Sequence, residues 1–186
     1  MSVRPLIPLS LLLLALAACG RKAEPVVLPE AAPTGTPAAN QPPPSNPTPT
    51  GEDPAAAAAR VHAALVTDLQ AQIFFDYDQD VIKQEHLATL DRKAAILNAN
   101  PAVRIRVSGH ADERGSDEYN LVLGNSRALA AKRYLESKGV SGSRIEITSF
   151  GEERPADPAS SETSWAKNRR DEFEIIAGGD RLVAPR

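Results

Sequence analysis

From about residue 54 onward two hydrophobic periods take turns along the chain, and the changes from one to the other lay out its elements. Asp53 followed by Pro54 reads as an N-cap and a first helical turn, and the Ala-rich run behind them carries Val61, Leu65 and Leu69 at spacing four. A second stripe, Leu87, Leu90, Ala94 and Leu97, predicts a helix from Gln79 to Asn98 that stops before Pro101. A third, Ala128, Ala131 and Leu135, predicts one from Glu118 to Lys138 that ends at Gly139. Between and after them the period is two, which predicts strands at Gln72 to Tyr77, Val103 to Gly109, Arg144 to Phe150 and Glu172 to Ala177. Val103, Ile105 and Val107 oppose Arg104 and Arg106; Ile145 and Ile147 oppose Glu146 and Thr148; Phe173 and Ile175 oppose Glu172 and Glu174. Strands buried on both faces would be apolar throughout. The helices therefore cover one face of a four-stranded sheet and leave the other wet, an α/β two-layer sandwich rather than a doubly wound fold. A short turn around Ser161 to Asn168 precedes the last strand. The domain proper is 72–178, with 54–71 a leading helix and 179–186 a polar tail to which the sequence assigns no role.

The segment before the domain has no such period. Residues 1–18 carry Arg4 and then an apolar stretch from Leu9 to Leu16, too short to span a bilayer at ~20 residues and placed like a secretory signal. Cys19, the single cysteine, follows Leu16-Ala17-Ala18. Ten of the sixteen prolines then lie from Pro25 to Pro54, mixed with Ala, Thr, Asn and Gln, so residues 19–53 cannot pack a core and read as a disordered tether. At roughly 3 Å per residue such a tract reaches on the order of 100 Å. A formal charge of -3 with acids and bases interspersed gives no basic field for nucleic acid.

The candidate chemistry lies in VSGHADERGSDEYNLVLGNSRA, Val107 to Ala128. Asn120, Leu123 and Arg127 are three, four and seven apart and share one helix face. That face aims an amide, an apolar side chain and a guanidinium at the loop holding Asp112. An acid and a base then face one space. Empty, they form a salt bridge worth ~0 to 1 kcal/mol if exposed; with a zwitterion between them, they form a receptor for an ammonium and a carboxylate on one carbon. Gly115 lets the loop turn tightly, and Gly124, costing roughly 1 kcal/mol inside a helix, marks a place where something approaches the backbone.

FFDYDQDVI from Phe74, GHADERGSDEYNLVLGNSRA, SFGEERP from Ser149 and Asn168-Arg169-Arg170 together resemble the OmpA-like peptidoglycan-binding domain. With the Leu-Ala-Ala-Cys lipobox and the tether, the chain is similar to the lipid-anchored branch of that family, the peptidoglycan-associated lipoproteins. The resemblance implies a mixed sheet and non-covalent binding of the meso-diaminopimelate stem peptide of peptidoglycan. Asp112 is then the acid for the ligand ammonium, Arg127 the base for its carboxylate and Asn120 an orienting amide. Tyr77 and Asp78 line the opposite wall, and Leu123 packs on the methylenes. Arginine suits its role because its planar fork engages a carboxylate through two parallel bonds. Asn168 caps local turns, and Arg169 or Arg170 braces the loop through a buried carboxylate, direct ligand contact being the alternative for these three. The resemblance also implies acylation of Cys19, an outer-membrane anchor with the domain facing the periplasm, and TolB and TolA as partners in envelope integrity and cell division. Gly20, where inner-membrane lipoproteins carry Asp, favours the outer membrane. Two departures stand out: Ala111 where the family pattern has threonine, and the acidic run Asp171-Glu172-Phe173-Glu174.

An enzyme on the same polymer is the main rival, with His110 as general base, but there is no cysteine nucleophile inside the domain, no Gly-x-Ser-x-Gly elbow and no metal triad. His110 has no second histidine at ligand spacing, so neither a metal nor a cofactor is expected. A tethered protein-interaction module without wall binding is the alternative. Trp165 is expected to be a packing anchor.

Overall fold

The computed structural model describes residues 53–186. The predicted signal segment, Cys19 and most of the proline-rich tether lie outside them. Helix α1 spans Pro54–Gln70, β1 Ile73–Phe74, α2 Gln84–Ala99, β2 Arg104–His110, α3 Asp117–Ser137, β3 Ile145–Gly151, α4 Glu162–Asn168 and β4 Arg170–Ala177. The sheet order is β1-β4-β2-β3, with β2 and β3 parallel and both β1–β4 and β4–β2 antiparallel. A parallel pair needs a crossover, and α3 supplies it. The fold is thus the two-layer α/β sandwich with a mixed sheet.

The alternation explains the layers. Val103, Ile105, Val107, Ile145 and Phe173 are buried under Leu90, Ala94, Leu97, Ala128, Ala131 and Leu135 of the helices. On the far face, Arg104 pairs with Glu146 at 2.7 Å, and Arg106 with Glu146 at 3.2 Å and Glu174 at 3.1 Å. These cross-strand pairs are half exposed, and they keep the open face wet rather than stabilising it strongly.

Helix α1 opens as its sequence dictates, Ala55 donating to the Asp53 cap at 3.0 Å. It buries Leu65 and Leu69, while Val61 is turned to solvent. Its last carbonyls, from Asp68 and Leu69, accept from the buried Lys93 of α2 at 2.9 and 2.7 Å, and the same ammonium lies 4.1 Å over the ring of Phe173. Burial pulls this lysine down to about 7. The C-terminal tail is seated too. Leu182 joins the core, and Asn100 exchanges two 2.8 Å hydrogen bonds with the backbone of Val183.

Most boundaries shift by one or two residues, and two move further. Strand β1 ends at Phe74 rather than Tyr77, and α2 begins at Gln84 rather than Gln79. Between them the chain makes a turn in which Asp78 adopts a φ of 56°. The hydrophobic stripe of α2 begins only at Leu87, and of residues 79–83 only Ile82 packs against the core, too little to hold them in a helix.

Candidate functional site

Helix α3 is pressed onto the sheet by two glycines. A Cβ on Gly109 of β2 would stand 1.9 Å from the Gly124 carbonyl oxygen, and one on Gly124 would stand 2.8 Å from the carbonyl oxygen of Gly109. No side chain fits either place. The backbone that approaches Gly124 is therefore the strand itself, and the contact fixes the height of Asn120, Leu123 and Arg127 over the loop that leaves β2. Ser116 caps the helix by accepting from Tyr119 at 3.3 Å, and Gly115 takes a φ of +120° immediately before it.

A pocket of about 130 Å³ opens there, lined by Tyr77, Asp78, Asp112, Arg114, Gly115, Tyr119, Asn120, Leu123 and Arg127. The six predicted ligand residues come together in it. Arg114 and Tyr119 were not anticipated. Neither has a periodic signature, because Arg114 sits in a loop and Tyr119 in the first turn of a helix on its exposed side. Asn168, Arg169 and Arg170 do not line the pocket.

The expected ion pair between Asp112 and Arg127 does not form. Asp112 accepts instead from Arg114, through Nε at 3.0 Å, Nη2 at 2.7 Å and the backbone N–H at 3.1 Å, and from Nη1 of Arg169 at 3.2 Å. Burial alone would push this carboxyl up; the bonds from Arg114 and Arg169 outweigh it and hold the group below the usual carboxylate range. Arg114 lies flat between Tyr77 and Trp165, its guanidinium carbon 4.0 and 4.2 Å from their ring centres. Trp165, expected to be a packing anchor, instead serves the site: it is half-buried, stacks on Arg114 and donates to Glu113 at 3.0 Å.

Arg127 is fully buried. It donates to three backbone carbonyls: Nη1 to His110 at 2.7 Å, Nε to Gln79 at 2.8 Å and Nη2 to Asp76 at 3.2 Å. Helical spacing tells which face a side chain leaves from, not what it reaches. The turn after β1 folds its carbonyls toward α3, and they take the donors that Asp112 was expected to take. Burial pulls the guanidinium down to about 10.

The rest is support. Tyr119 donates to Asp78 at 2.5 Å across the mouth. Asn120 donates to the Arg114 carbonyl at 3.3 Å and to Glu152, a residue the sequence did not single out. Asn168 holds the β3–α4 loop, accepting from Ala156 at 2.8 Å and Asp157 at 3.0 Å. Arg169 is the brace, reaching Asp112, the Phe75 carbonyl at 3.1 Å and Glu162 at 2.9 Å. Arg170 turns to the far face and meets Glu172 at 2.7 Å. His110 is buried, neither ring nitrogen has a hydrogen-bond partner among the described residues, and burial with the nearby Arg170 pulls it down to about 4. Among the described residues no group of three or more His, Cys, Asp or Glu is placed to hold a metal ion.

The OmpA family matches residues 74–169. The peptidoglycan-associated lipoprotein of Pasteurella multocida is 44% identical over 108 residues, 56% of this chain and 72% of that protein. A crystal structure of the peptidoglycan-associated lipoprotein from Burkholderia pseudomallei superposes with a TM-score of 0.55 at 38% identity, covering 56% of this chain and 88% of that one. The C-terminal domain of Helicobacter pylori MotB gives 0.52 at 25% identity, covering 56% and 83%. With the family match over residues 74–169 and its relatives in accord, the chain belongs to the OmpA family.

Proposed function

We propose that this chain is a lipid-anchored protein of the bacterial envelope whose domain binds the meso-diaminopimelate stem peptide of peptidoglycan without turning it over. The observation that carries the reading is that one small pocket holds an acid, a base, an amide and an apolar wall: Asp112, Arg127, Asn120 and Leu123. A diaminopimelate side chain ends in an ammonium and a carboxylate on one carbon, and it presents methylenes behind them. Asp112 and Asp78 take the ammonium, Arg127 the carboxylate, and Leu123 the methylenes.

Arg114 gives the binding step a definite form. In the free protein its guanidinium neutralises Asp112 from the pocket side, so an entering ammonium shares or displaces a cation already present. A site that exchanges one charge partner for another binds weakly, on the order of micromolar to millimolar. Acylation of Cys19 and the proline-rich tether supply what the pocket lacks. Many anchored copies face many stem peptides, and the resulting avidity holds outer membrane to wall while each contact stays exchangeable.

A protein partner is favoured by a separate observation. Tyr77, Val81, Tyr119, Leu121 and Val122 are all exposed; Tyr77 and Tyr119 line the pocket, and Leu121 and Val122 line a shallow groove elsewhere on α3. Two exposed tyrosines at the mouth of a charged pocket, with further exposed apolar residues on the same helix, suit docking of a protein over that mouth. We assign this surface to TolB, in competition with the wall, and TolA as a further partner, within a Tol-Pal system serving envelope integrity and division.

The test is an NMR titration of the full chain with a stem tripeptide ending in meso-diaminopimelate, against the same peptide ending in lysine. The variant is Asp112→Asn, which keeps the shape of the loop. Saturable shifts at Asp78, Asn120 and Leu123 that need both the second carboxylate and Asp112 are expected. Absence of any saturable shift overturns wall binding and leaves the interaction module as the function.

A further inference from the structure

Strand β4 carries an acid where its alternation calls for an apolar side chain. Phe173 and Ile175 face the helix layer and pack in or against the core, and a period of two puts Asp171 on the same side. Its strand neighbours are Ile73 on β1 and Gly109 on β2, neither of which has a side-chain donor. Asp171 is completely buried, and among the described residues neither of its carboxyl oxygens has a hydrogen-bond partner.

The charged group that acts on it is Arg127, from the helix above. Arg127 in turn, among the described residues, spends three N–H donors on carbonyls and none on an anion. A guanidinium has five, so one N–H on each Nη remains, the pair that a carboxylate takes in a fork. The other charges acting on Arg127 are Asp112 and Asp80 from the loops and Arg169 at the end of α4. From α2 the buried charge is Lys93, engaged with Phe173 and two carbonyls. His110 lies on the opposite face of the sheet, beside Glu172.

We propose that Asp171 is a positioning residue that decides whether Arg127 can take a ligand carboxylate: as a neutral acid it leaves the guanidinium's charge unopposed, and as a carboxylate it takes that charge for itself. The inference rests on the reading of Arg127 as the carboxylate site. A buried carboxyl with no donor cannot hold a charge at an acceptable cost, so it keeps its proton, and burial accordingly pushes Asp171 well above the usual carboxylate range. A bound anion raises it further. Binding and protonation of Asp171 are then linked, and affinity falls as pH climbs through its titration.

The experiment uses the full chain, the stem tripeptide ending in meso-diaminopimelate as probe, and the variants Asp171→Asn and Asp171→Val, from acidic to alkaline pH. Carboxyl carbon shifts of labelled aspartate report Asp171 directly. Wild-type affinity is expected to weaken by up to roughly tenfold per pH unit above the Asp171 titration, the limit for one linked proton. Both variants lose that limb and diverge from wild type as pH rises, whereas any limb from the ligand's own ammonium is common to all three. An Asp171 ionised at neutral pH in the free protein, or pH profiles identical in wild type and variants, overturns the inference and leaves wall binding standing. Absence of saturable binding at every pH overturns both.

Discussion

Asp112 and Asp171 are both buried carboxyls, 4% and 0% exposed, and their chemistry is opposite. Asp112 collects donors from two arginines and a backbone N–H and stays ionised below the usual range. Asp171 collects none and is pushed up. Burial is common to both, so the donors decide which group keeps its charge. The pocket is polarised by that difference: its acid is already hydrogen-bonded to arginines, whereas its base, Arg127, hydrogen-bonds to backbone carbonyls and feels carboxylates only at longer range.

The largest effect comes from breaking the compensated side. Arg169→Ala removes a buried partner of Asp112 and leaves the Phe75 carbonyl unpaired. Loss of one member of a buried pair costs about 3 kcal/mol or more, and chemical denaturation of the full chain should show at least that. A loss near zero would mean that Arg114 alone carries Asp112.

The uncompensated side should respond with the opposite sign. Asp171→Val replaces an unpaired polar group with a side chain of similar size, on a face that already packs Phe173 and Ile175. Relief of an unsatisfied buried polar group is worth ~1 to 3 kcal/mol by mutational measures, so the variant should be more stable at neutral pH. Destabilisation in denaturant melts would mean that Asp171 has a partner in solution.

How far the sequence could be read follows the same division. Alternation set the strands, the wet face and the two layers, and helical spacing put Asn120, Leu123 and Arg127 on one face and hence in one pocket. What escaped was everything that depends on reach rather than direction. Arg114 and Glu152 lie in loops, where no period reports a facing. The carbonyls of Asp76 and Gln79 that hold Arg127 belong to backbone, which carries no residue signal at all. Asp171 did carry one: extending the Phe173 and Ile175 pattern back by two places an acid inside, a break in alternation that marks a buried polar group.

The smallest effect separates the two arginines of Asp112, and it is best read in pH. Arg114 is partly exposed and faces the pocket, so Arg114→Ala should cost only about 1 kcal/mol at neutral pH, for one screened ion pair and its stacking. Asp112 is depressed in the folded protein, so its contribution is present above the unfolded value of about 3.9 and is lost as pH falls through the folded one. Without Arg114 the folded value rises toward the ordinary one, and acid unfolding should begin at higher pH than in wild type. Asp171 is raised, so its contribution runs the other way, complete below the unfolded value and lost as pH rises through the folded one. The two groups thus tilt the stability curve in opposite directions on either side of the unfolded value. Arg114→Ala should move only the acid limb, and Asp171→Val should flatten only the limb above it. Stability measured by denaturant across pH for both variants tests this directly. If Arg114→Ala shifts both limbs, the two carboxyls are coupled through Arg127, and the donors of one cannot be reasoned about apart from the other.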